Sequence, residues 1–111
     1  RTMKLTFSEA LERINEERSV DGSEIQSRAL SRVLWVAEWH IPGCMSESRI
    51  YCTTKRGAIE SACDMANTGP DGESPRGMRT ALRKTGRFDS DSPLYGRVIN
   101  TVKRVQLCDL V

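Results

Sequence analysis

The stretch from Arg32 to Met65 constrains this chain more than any other. Val33, Trp35, Ala37, Trp39 and Ile41 alternate onto one face of an extended segment. Leu34 and Val36 begin the opposite face, which turns polar at Glu38 and His40. Such alternation is the pattern of a half-buried strand. Pro42-Gly43 ends it, because proline fixes φ and glycine admits positive φ, as a tight turn requires. Ser48 to Cys52 supplies the partner strand, with Ile50 and Cys52 on one face and Arg49 and Tyr51 on the other. A helix follows at once: Thr53 or Thr54 caps residues 55–66, whose Ala58, Ile59, Ala62, Cys63 and Ala66 share one side. Small side chains let that helix lie close on a sheet. The stretch fixes a β-β-α core and brings no catalytic group with it.

The flanking sequence extends this core. Thr6 and Glu9 form a capping box for a helix over 6–18, with Phe7, Ala10, Leu11 and Ile14 as its apolar stripe and Leu5 stapling to Ala10. Asp21-Gly22-Ser23 turns the chain. Residues 67–75 (NTGPDGESP) read as a mobile loop. Ser74-Pro75 then starts a helix over 75–85, stopped by Gly86 and anchored only by Met78, Ala81 and Leu82. Phe88 to Pro93 reads as an acidic flexible link. Between Tyr95 and Leu107 a helical period competes with the β-branched Val98, Ile99, Thr101, Val102 and Val105, and the β-branched set decides for a strand over 97–107. The expected fold is α+β in one domain, 1–111. A small antiparallel sheet (30–41, 48–53, 97–107) is covered on one face by the helices at 6–18 and 55–66, with the basic helix at the periphery.

A length of 111 residues suits one domain that buries roughly 65% of its unfolded surface. No apolar run approaches the roughly 20 residues of a membrane span. No secretory pattern opens the chain, so Cys44, Cys52, Cys63 and Cys108 are expected as reduced thiols in a cytoplasmic protein, Cys44–Cys52 being the pair a hairpin would bring together. The net charge of +2 carries little information, but its distribution carries more. Residues 1–24 hold six acids and four bases, whereas residues 74–88 hold Arg76, Arg79, Arg83, Lys84 and Arg87 and no acid. Opposite poles of this kind suit a charged partner, and they equally describe a solvated helix face.

Catalytic constellations are sparse. His40, the one histidine, is separated from Cys44 by the Pro42-Gly43 turn, with no third group to orient the imidazole. His40, Cys44, Cys52 and Cys63 have the residue types of a zinc site but not the usual ligand spacing. No phosphate-binding loop, dinucleotide fingerprint, zinc-protease or nucleophile-elbow motif occurs. A non-enzymatic protein with no cofactor and no metal is expected. Two binding surfaces remain. The basic run of Arg76, Arg79, Arg83, Lys84 and Arg87, with Lys55-Arg56 and Lys103-Arg104, offers phosphate contacts. Trp39 and His40, with Ile41 and Met45, stand near a hairpin tip, where aromatic residues serve as interface anchors or simply as core.

Residues 33–66 resemble a group of small phage and mobile-element proteins in which a strand enters a W-x-x-P-G-C-like turn, followed by a short strand and a T-x-x-x-A helix start. Here these are Trp39 to Cys44, Ile50 to Cys52 and Thr54 to Ala58, and the opening Leu5–Ile14 and closing Val102–Leu110 are of similar kind. Some such proteins counter host defence, and anti-CRISPR proteins are the best-known members of that functional class. The resemblance implies a small host-cell cytoplasmic protein that inhibits by stoichiometric binding to a host protein or ribonucleoprotein complex, away from membranes. The alternative from the basic helix is a small nucleic-acid-binding regulatory module.

Overall fold

The computed structural model describes residues 3–44, 47–66, 75–92 and 95–111. Helix α1 (Phe7–Asn15) begins at the expected capping box. The Glu9 N–H donates to Thr6 Oγ1 at 3.2 Å, and the Thr6 N–H donates to Glu9 Oε1 at 3.1 Å. These bonds hold the Glu9 carboxyl below its ordinary value, the Thr6 backbone N–H being the main cause. The helix stops at Asn15, short of residue 18, because Glu17 turns left-handed at φ 60°. The Arg18 N–H reaches the Arg13 carbonyl at 3.0 Å and the Glu17 N–H the Ile14 carbonyl at 3.0 Å, the paired bonds of a Schellman ending. A 3-10 turn at Gly22–Glu24 and the short helix α2 (Ser27–Leu30) follow.

Four strands form one antiparallel sheet: β1 (Val33–His40), β2 (Glu47–Cys52), β3 (Arg87–Ser92) and β4 (Gly96–Gln106), in the order β2-β1-β4-β3. The β1–β2 hairpin pairs Trp35 with Cys52 and His40 with Glu47. Strand β4 lies against the full length of β1, from Val33–Gln106 to His40–Ile99. The α+β class, the antiparallel sheet and the closing strand follow the sequence expectation. Phe88–Ser92 does not: it belongs to edge strand β3 rather than a flexible link. Its Phe88 and Ser90 are partly covered while Arg87, Asp89 and Asp91 face water, a period-two pattern with serines where larger apolar residues would stand. Met45, Ser46, Pro93, Leu94 and the expected loop up to Ser74 lie outside the described residues.

The helices divide between the two faces of the sheet. Leu34 on β1 and Val105 on β4 pack with Leu5, Phe7, Leu11, Ile25 and Ala29, so α1 and α2 cover one face. Ala37 and Val102 pack with Ala58, Ile59, Ala62, Met78 and Leu82, so helix α3 (Lys55–Met65) and helix α4 (Met78–Thr85) cover the other. The one-face arrangement expected for the helices at 6–18 and 55–66 is therefore corrected. Adjacent strand residues point opposite ways, and β1 is apolar on both sides over 34–37, so each side needs a cover. The basic helix is no loose periphery either, since Met78 and Leu82 are fully buried. It begins at Met78, after a left-handed Gly77, rather than at Ser74-Pro75. Asn100 is also fully buried, in register with Trp39 and Phe88, and its side-chain oxygen and nitrogen find no partner among the described residues.

Strand β2 is an edge, and Asn15 at the end of α1 closes part of it. Asn15 Nδ2 donates to the Tyr51 carbonyl at 2.8 Å, and Asn15 Oδ1 accepts the Tyr51 N–H at 2.8 Å. The carboxamide stands in for one residue of a neighbouring strand and blocks edge pairing there. Asn15→Ala is expected to lower stability by about 1–2 kcal/mol, the net worth of two such bonds. Urea unfolding checks the loss, and amide exchange at Tyr51 should accelerate more than at Cys52.

Candidate basic groove between helices α3 and α4

Helix α3 starts at Thr54, whose Oγ1 accepts the Gly57 N–H at 3.0 Å. Its small buried face (Ala58, Ala62, Cys63) brings it close to the sheet and leaves Lys55, Arg56 and Glu60 toward α4. Helix α4 turns Met78 and Leu82 inward, which places Arg79 and Arg83, one turn apart, along the same opening. The result is a groove of about 540 Å³ lined by Lys55, Arg56, Ile59, Glu60, Arg79 and Arg83. Four cations and one carboxylate surround an isoleucine floor. The aliphatic stems of the long side chains extend that apolar floor up the walls.

The cations differ in what holds them. Lys55 Nζ donates to the Arg83 carbonyl at 2.9 Å and lies 5.5 Å from the centre of the Trp35 ring. It therefore meets a carbonyl of the last turn of α4, where a positive charge is favoured. Arg79 pairs with Glu60. Arg56 and Arg83 make no ion pair among the described residues, and both are exposed. Two cations without an ion pair among the described residues thus meet at this groove.

The sequence-derived candidates are distributed more widely than their spacing implied. Arg79 and Arg83 meet in the groove. Arg76 lies exposed in the turn before α4, and Lys84 is exposed on α4 without lining the groove. Arg87 belongs to β3, where its side chain turns to the face of the sheet opposite α4. There Arg87 Nε donates to Asp89 Oδ1 at 2.8 Å, and an Arg97 guanidinium N–H donates to Asp89 Oδ2 at 2.8 Å. Trp39 and His40, adjacent on β1, point to opposite faces. Trp39 meets Tyr95 edge-on with ring centres 5.5 Å apart, and His40 Nδ1 stands 3.4 Å from Glu47 Oε1 without hydrogen-bond geometry. Lys55 and Arg56 were legible as bases, but their union with α4 depends on helix packing that no spacing reveals. Glu60 carried no signal beyond its place on the outer face of α3.

Several charges on the face opposite the groove pair with one another. Arg49 pairs with Glu47 at 2.7 Å and with Glu38 at 3.6 Å, beside the Arg87–Asp89–Arg97 set. Hydrogen bonds from Arg87, then Arg97, hold the Asp89 carboxyl at about 2, below its ordinary 3.8. A depressed folded value means that this contribution to stability is complete above the ordinary carboxylate range and fades as pH falls toward 2. Carboxyl NMR should give Asp89 a midpoint near 2 in the native protein, and Arg87→Met should move it up toward 3.8.

The four cysteines form no disulfide, Cys44 and Cys108 being exposed. His40 and Cys52 project from opposite faces of the sheet, which separates two members of the Cys₃His set considered from sequence. No cluster of three or more His, Cys, Asp or Glu suited to a metal occurs among the described residues. No helix among them is long and apolar enough to cross a membrane. Comparison with family models, with curated proteins and with solved structures returns no match for this chain.

Proposed function

We propose that this chain is a stoichiometric inhibitor of a host defence complex, of the anti-CRISPR kind, and that it meets its target through the α3–α4 groove. The observation that carries this reading is the composition of the groove, four cations around an apolar floor. Arg49, Glu47 and Glu38, and Arg87, Asp89 and Arg97, are matched to one another on the opposite face, while Arg56 and Arg83 stand exposed beside an apolar floor with no ion pair among the described residues. Cations around an apolar centre are the composition of an interface that fits a negatively charged partner. The phage-protein resemblance of residues 33–66 supplies the biological context. Occupation of a surface requires no catalytic residue.

A second reading, direct nucleic-acid binding by a small regulator, draws on the same exposed Arg56 and Arg83 as phosphate contacts. Salt separates the two. Phosphate contacts lose affinity steeply and linearly in log salt, whereas a protein partner held partly by apolar contact loses less.

The test of function is phage plating. Cells carrying an active CRISPR system aimed at one phage are supplied with the chain or with Arg56→Glu/Arg83→Glu. Inhibition predicts that the native chain restores plaque formation and the double variant does not. Plating that stays blocked across the CRISPR types assayed would count against the anti-CRISPR reading.

A further inference from the structure

We infer that the occupant of the α3–α4 groove is an acidic amphipathic helix of a protein partner; this deepens the inhibitor reading and rests on it. Four features favour such a segment over a nucleic-acid strand. First, Glu60 lies inside the groove beside Arg79. A phosphate backbone has a fixed density of negative charge and must pass that carboxylate. A peptide can set a neutral residue there and keep its acids for Arg56 and Arg83. Second, the groove has no stacking platform for bases. Its lining contains no aromatic residue, the half-buried Trp35 ring lies beneath Lys55 Nζ, and Trp39 is engaged by Tyr95.

Third, the floor is apolar. Ile59 and the stems of the surrounding long side chains offer a seat for one or two aliphatic anchors, which a phosphodiester strand does not possess. Fourth, the dimensions suit a helix. Helix α4 has eight residues, so the groove wall runs about 12 Å, a little over two turns. Arg79 and Arg83 are separated by one turn, the spacing at which a partner helix repeats its own side chains.

The experiment follows the isoleucine methyl signals of the full chain by NMR. Three probes are added separately: a synthetic amphipathic peptide with Glu and Leu at helical spacing, a peptide of the same composition in scrambled order, and a single-stranded RNA oligonucleotide. The patterned peptide is expected to shift the Ile59 methyl and saturate at least about tenfold tighter than the scrambled one, a difference of about 1.4 kcal/mol. Arg56→Glu/Arg83→Glu should remove that shift. Glu60→Gln, which removes the groove's carboxylate and frees Arg79, should strengthen RNA binding by a larger factor than peptide binding. The inference is overturned if RNA occupies the groove more tightly than the patterned peptide, if the double variant binds the peptide unchanged, or if no probe moves Ile59. Should plating remain restored while the peptide fails, the occupant is wrong and the inhibitor reading stands. A peptide that binds where plating stays blocked supports the assigned chemistry of the groove and removes the inhibitor.

Discussion

Leu82→Ala is expected to lower stability by about 2–5 kcal/mol, the cost of removing a fully buried leucine and leaving a cavity. The loss should concentrate in α4. Only Met78 and Leu82 of that helix are buried, and an eight-residue helix has too little intrinsic stability to persist without packing. Removing one of two anchors therefore loosens the wall that carries Arg79 and Arg83. Urea unfolding should show the global loss. Amide exchange should show α4 opening before α3, whose buried face includes Ala58, Ile59, Ala62 and Cys63. The control is Lys84→Ala on the exposed side of α4, which should stay within about 0.5 kcal/mol of the native chain. Equal losses for the two variants would remove α4 from the core.

Gly86→Ala should cost about 2–3 kcal/mol although it adds only one methyl group. Gly86 ends α4 with φ at +75°, a conformation that disfavours any Cβ. It also sits tightly between two elements. Its N–H donates to the Leu82 carbonyl at 3.0 Å, and its carbonyl accepts the Val102 N–H at 2.9 Å. A Cβ built there would stand 2.8 Å from the Val102 carbonyl oxygen, which belongs to the backbone of central strand β4 and has little room to move. Gly77 has a similar φ of +83° but open space around it, so Gly77→Ala isolates the conformational part. Thermal unfolding of the two variants should place Gly86→Ala clearly below Gly77→Ala. Equal midpoints would show that the close approach to β4 contributes nothing.

The contrast between Gly86 and Arg87 also shows what the sequence could and could not disclose. Gly86 was legible as a helix stop because glycine there serves a left-handed cap. Arg87 adjoins Arg76, Arg79, Arg83 and Lys84 in the sequence, yet one residue past the cap the chain is a strand, and Arg87 faces the other side of the sheet. Linear spacing cannot carry a charge pattern across a change of element. The β1–β2 hairpin was readable because its alternation and its Pro-Gly turn agree. Strand β4 was readable because β-branched residues outweighed an accidental helical period. Edge strand β3 was not, because it buries little and fills its inner face with Phe88 and two serines. Cover on both faces was implicit in β1, where Leu34 and Val36 are apolar opposite Trp35 and Ala37, but which helix takes which side depends on chain path. The groove was least legible of all. It joins the start of α3 to the end of α4 across a sequence separation that only packing closes.

One comparison reaches the central claim most directly. The tagged chain and its Arg56→Glu/Arg83→Glu variant, matched in fold by circular dichroism, are used to capture partners from nuclease-treated host lysate, with quantitative mass spectrometry of what is retained. The account predicts that the native chain holds one multi-subunit assembly at a fixed stoichiometry and that the variant loses it at least about tenfold. Equal retention by both proteins, or recovery of nothing once nucleic acid has been digested, would contradict it.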